Sequence, residues 1–296
     1  MSLKTVRGAA WPLVLLVALS GPGWAGDEGA DGSGLSFEPR LVNDAALEND
    51  ATGAQFTWTG RVPGYPDGTA LHVTLLVEGR SKAPIRAAFV KCLLEGGTFA
   101  GQFSWPNQRL SPMVYKAQLA LYIDEQRPDV RRNLIQEFGW PAGHVEVLST
   151  QDVPTGTPED RASFPRKSVT ELRDLVGGFE ALRAELLTMA QATPPPAEEA
   201  LGEYQERLAT HEKKFVAYAN TYVVRVEGEL VQRMQSVIAT LSRCLRQQRK
   251  GQDPAARLIQ CEQELKIVMA EIESRLPLDL GGEDEQTPEQ NPQKPN

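Results

Sequence analysis

The hydrophobic repeat of this chain changes period once, near position 160, and that switch constrains the fold more than any motif does. Upstream, apolar residues alternate with polar ones: Phe56 and Trp58, then Leu71, Val73, Leu75 and Val77, then Phe99, Phe103 and Trp105, then Tyr115, Ala117, Leu119 and Leu121. A period of two marks strands with one buried face. Downstream, apolar residues recur every three or four positions, as one stripe on an α-helix does. The fold class read from this is α+β with segregated domains. An antiparallel β-sandwich occupies residues 35–150 and a coiled-coil-like helical bundle residues 168–276. Residues 151–167, rich in Pro, Thr, Gly and charge, read as the linker between them.

Turn chemistry divides the upstream half. Pro63 and Gly64, Pro66 to Gly68, Glu95 to Gly97, and Pro106 with Asn107 separate the alternating runs, and Glu95 to Gly97 suits a hairpin. Adding runs at 35–42, 88–94 and 144–148 gives six or seven short strands, the number and spacing of a sandwich. One helical excursion fits at 128–138, with Pro128 in the first turn and Gly139 as the C-cap.

Gly97, Phe99 and Phe103, followed by Leu110, Pro112 and Tyr115, resemble the G-x-F … L-x-P-G-x-Y pattern of immunoglobulin-like and prealbumin-like β-sandwich modules of exported proteins. The resemblance covers residues 97–123, with Met113 in place of the usual glycine. It implies the sandwich fold and an adhesive or spacer role, and carries no catalytic residues.

Downstream, Ser168 and Glu171 have the spacing of a capping box. The helix they open carries Leu172, Val176, Phe179, Leu182, Leu186 and Met189, and Pro194 to Pro196 stop it. Residues 197–250 contain no proline and keep the helical beat, so they read as a single helix of about 80 Å. Four gaps of four between Tyr218 and Met234, with Gly228 among them, mark the alternative: a break that would close a compact four-helix bundle. Asp253 and Pro254 open a last helix bearing Leu258, Cys261, Leu265, Val268 and Ile272. If the long helix holds, part of its apolar seam stays open for a protein partner or for self-association.

Compartment is read from the N-terminus. Lys4 and Arg7 precede an apolar stretch, and Gly23 and Ala25 suit cleavage after position 25, so residues 1–25 read as a signal peptide and the protein as secreted, periplasmic or cell-envelope. The apolar stretch is about 11 residues, short of the roughly 20 that a membrane span needs. Residues 26–34 read as a flexible spacer and 277–296 as a disordered acidic tail. Removing residues 1–25 would take the formal net charge from −8 to −10, which opposes binding to nucleic acid.

No catalytic motif stands out, no cofactor is implied, and no metal site is expected, because His72, His144 and His211 lack ligand spacing. Cys244 and Cys261 have positions that face each other across an antiparallel helix hairpin, so a disulfide is expected there in an oxidising compartment. Cys92 reads as a buried thiol. Among the aromatics, Trp58 and Trp105 share strand faces with Phe56 and Phe103 and read as core. Tyr65 and Trp140 are the candidate binding rings, able to anchor a protein or stack on a sugar. The resulting expectation is an exported, non-catalytic scaffold or protein-binding protein. A carbohydrate-binding accessory protein and a secreted hydrolase without a recognisable motif are the alternatives.

Overall fold

The computed structural model describes residues 34–78, 83–225 and 227–276. The expected signal peptide, nearly all of the spacer and the acidic tail lie outside these residues. The alternating half forms seven antiparallel strands: β1 (Ser36–Ala46), β2 (Thr52–Arg61), β3 (Ala70–Glu78), β4 (Pro84–Leu93), β5 (Thr98–Pro106), β6 (Val114–Tyr122) and β7 (Val145–Pro154). They make a three-stranded sheet, β1-β2-β5, and a four-stranded sheet, β4-β3-β6-β7. One core fills the space between them, with Phe56, Trp58, Leu71, Leu75, Tyr115 and Leu119 at its centre. The turn at Glu95 to Gly97 forms, with Gly96 and Gly97 both at positive φ. It does not make a simple hairpin, because β4 and β5 part into different sheets and pair locally only at Glu95 and Thr98.

The helical excursion α1 (Pro128–Phe138) runs between β6 and β7 and ends at Gly139 in the left-handed region. Buried Gln126 ties its approach to the sandwich by bonding both the amide and the carbonyl of Ala70, at 2.7 and 2.8 Å. The second half forms α2 (Pro158–Gln191), α3 (Glu198–Asn220), α4 (Gly228–Arg249) and α5 (Ala255–Glu273), packed around a second core. Among the described residues no helix is long and apolar enough to cross a membrane.

Four expectations are corrected here. The linker at 151–167 does not exist as a free segment: β7 runs to Pro154 and α2 starts at Pro158. The capping box is made by Thr157 and Asp160, each side chain bonding the other's backbone N–H at 3.1 Å, with Pro158 in the first turn. Ser168 is buried inside that helix instead of capping it. The single helix over 197–250 is broken at 221–227, where the four-residue gaps marked a change of phase. The break lets α3 and α4 fold back on each other, so most of the described seam residues from Leu201 to Cys244 are buried within the bundle.

The fourth correction concerns the thiols. Cys244 and Cys261 sit in the same apolar core, yet both are free and not within bridging distance. Each is buried as a small apolar group, and burial pushes the Cys261 thiol up to about 11.

The helix break docks on the sandwich. Arg109 N–H donates to the Thr221 carbonyl at 2.9 Å, Val223 N–H to the Arg109 carbonyl at 2.8 Å, and the Ser111 hydroxyl to the Val224 carbonyl. Val224 is buried in the sandwich core. From the other side, the Asn43 amide brackets the backbone of Leu110 and Asp44 holds the Arg109 guanidinium. The chain then turns back into the bundle through a buried ion pair, Arg225 to Glu227 at 3.1 Å. Tyr218 donates to the Glu227 carboxylate at 2.6 Å, Ser168 donates to the same oxygen, and Arg225 lies over the Tyr218 ring. Residues 221–227 thereby serve as a joint, with backbone groups that a continuous helix would have used internally satisfied by the sandwich.

Candidate functional site

Tyr65 and Trp140, far apart in sequence, meet at one end of the sandwich. Tyr65 sits in the loop between β2 and β3. That loop turns at Gly64 and Gly68, both at positive φ, and is pinned at its base by Gly68 N–H to the Leu94 carbonyl at 2.7 Å and by Asp67 accepting from Gly96 N–H at 2.8 Å. Trp140 follows the left-handed Gly139, which turns the chain back after α1 and sets Trp140 beside Phe138. His144 precedes β7 and is held by Ile123 N–H donating to its carbonyl at 3.0 Å.

These elements bring four rings into one pile. Phe138 stacks on Trp140 at 4.8 Å and 19°, Trp140 on His144 at 4.7 Å and 23°, and Tyr65 on Phe138 at 5.3 Å and 25°. Tyr65 and Trp140 themselves are 6.2 Å apart. Glu146 closes the set, its carboxylate 2.9 Å from His144 Nε2. Burial and, secondarily, the Glu146 charge hold the Tyr65 phenol above its ordinary range. Tyr65, Trp140 and His144 are half-buried, while Phe138 is 39% exposed. Ile135, one turn earlier on α1, and Val145, next to His144, are also exposed. The result is an aromatic ledge with wet aliphatic neighbours and one carboxylate, chemistry suited to anchoring a partner's apolar side chain.

Other sequence candidates go elsewhere. Trp58 and Trp105 are buried in the sandwich core, as their strand faces implied, and neither adds a ring beside Tyr65 for stacking on a sugar. His72, expected on a polar strand face, is fully buried between Phe89 at 5.0 Å and Tyr122 at 4.9 Å. The Glu125 carboxylate lies 2.7 Å from its Nε2. Desolvation outweighs that carboxylate and lowers the His72 pKa. His211 packs its imidazole against Phe179 in the bundle, far along the chain from either. Cys92 is a buried thiol, pushed up by burial to about 11. Among the described residues no group of three or more His, Cys, Asp or Glu is placed to hold a metal ion.

Phe138 and His144 complete the ledge and were not singled out by the sequence. The signal for Phe138 was its place with Trp140 on either side of Gly139, a glycine already assigned as a cap. Comparison with protein-family models, with curated proteins and with solved structures finds no match for this chain.

Proposed function

We propose that this chain is an exported, non-catalytic binding scaffold whose sandwich presents the Tyr65, Phe138, Trp140 and His144 ledge to a protein partner. One observation carries the reading: the two rings expected to bind meet in one pile, with Phe138 and its aliphatic neighbours still wet. A monomer's apolar patches are often where partners dock. Export rests on the N-terminal sequence pattern, and the immunoglobulin-like kinship of the sandwich on residues 97–123. The Tyr115 hydroxyl donating to the Ser111 carbonyl four residues upstream supports that kinship, since such a tyrosine corner recurs in these modules.

A protein partner is favoured over a carbohydrate because Trp140 already stacks on Phe138 and His144, which leaves less ring face for a sugar. The test compares native protein with Phe138→Ala combined with Trp140→Ala, as baits for exported proteins and on a glycan array. Partners captured by the native ledge and lost by the variant support the reading. Glycan binding lost by the variant favours the carbohydrate alternative, and steady turnover of a defined substrate would remove the non-catalytic assignment.

A further inference from the structure

Several arginines of the bundle meet a carboxylate of their own chain: Arg183 with Glu262, Arg207 with Glu185, Arg225 with Glu227, Arg249 with Glu198 and Arg275 with Glu271. Among the described residues four exposed ones do not: Arg233, Arg243, Arg246 and Arg257. Of these, Arg233 and Arg243 on α4 and Arg257 on α5 line one groove of about 680 Å³ between those helices. Unneutralised cations gathered in a concave site focus its potential and attract anions, even on a chain whose overall charge is −8.

The lining narrows what the anion can be. Ser236, Thr240 and Gln260 offer uncharged hydrogen-bonding groups, and buried Val237 and Cys261 make an apolar floor. Glu229 and Glu264 share the walls, so a uniform polyanion such as a nucleic acid backbone would meet repulsion there, whereas a segment with few, spaced carboxylates can set them on the arginines and away from the glutamates. Arg243 and Arg257 stand on different helices, and Arg233 lies about 15 Å from Arg243 along α4.

The geometry points to this groove as a docking site for an extended acidic peptide segment of a partner protein. Side chains alternate sides along a strand, so adjacent acidic residues reach Arg243 on one wall and Arg257 on the other. A third carboxylate four or five residues on, about 15 Å at roughly 3.3 Å per residue, reaches Arg233. Guanidinium forks match carboxylates bidentately, which gives direction as well as attraction. The amide and hydroxyl side chains between the arginines take the peptide's backbone groups. This site is independent of the aromatic ledge and stands or falls separately.

The probe is a short labelled peptide with a Glu-Asp pair and a second Glu four residues later, set in Gly and Ser, with a lysine-for-acid counterpart as reference. Fluorescence anisotropy on the full chain at low salt should show saturable binding of the acidic peptide only. Arg243→Gln with Arg257→Gln should weaken it by about tenfold or more, a loss of roughly 1.4 kcal/mol. Arg246→Gln with Lys250→Gln removes equal charge outside the groove and should leave binding unchanged. All four positions are exposed, so an unchanged thermal midpoint confirms that the variants fold. Equal weakening by both pairs, or no preference over the lysine peptide, overturns the assignment.

Discussion

Glu227 has no exposed surface, and its bonds crowd onto one oxygen: Oε1 takes Tyr218, Ser168 and Arg225, while Oε2 has no hydrogen-bond partner among the described residues. A buried pair held this way is costly to break from one side, because the surviving charge stays desolvated. Glu227→Ala should lose about 3–5 kcal/mol of stability in urea denaturation. Arg225→Met combined with Glu227→Leu, which removes both charges, should recover most of that loss. His72 makes the pH prediction. Burial lowers its pKa from 6.5, so the folded state takes up the proton less readily than the unfolded chain. The stability it contributes is complete above about pH 6.5 and is lost as pH falls through that value toward the lower folded one. Glu125, which opposes the shift, and Lys91, which adds to it, are the charged groups facing the ring. Urea midpoints between about pH 7 and pH 5 should fall more steeply for the native protein than for His72→Gln. Equal slopes would assign the acid sensitivity elsewhere. At this scale the sequence exposed the two rings of the ledge, because Tyr65 and Trp140 stand among Gly and Pro. It hid the burial of His72, since Phe89 and Tyr122 cover a strand face that alternation marks as polar.

The two adjacent glycines of α2 separate propensity from packing. A Cβ at Gly177 would meet nothing within 4 Å, whereas one at Gly178 would fall 1.9 Å from His211 Nε2. Gly177→Ala should therefore stabilise by up to about 1 kcal/mol, the ordinary helix-propensity gain. Gly178→Ala should stabilise less or destabilise, because the His211 ring must leave its place against Phe179, and paired thermal melts would show the difference. Strand and helix identity was legible because periods of two and 3.6 are local properties. The start of α2 was obscured by Pro158 and Pro165, which read as linker although one sits in the first turn and the other is carried inside the helix. The break at 221–227 left only a phase change in the pattern, since what holds it open, Arg109 and Ser111, lies more than 100 residues earlier.

At the scale of the molecule, two hydrophobic cores meet through a short stretch of backbone, and the described residues from Leu35 onward belong to one compact unit. A rigid relation between sandwich and bundle would fix the ledge relative to the α4–α5 groove, so that a partner engaging both gains effective concentration. The joint at 221–227 is what such rigidity rests on. Equilibrium urea unfolding, followed at once by the emission of Trp58, Trp105 and Trp140 for the sandwich and by ellipticity at the helix band for the bundle, tests it most directly. We expect the two signals to coincide in the native protein and to separate when Ser111→Ala and Val224→Ala loosen the joint. Two distinct midpoints in the unaltered protein would contradict it.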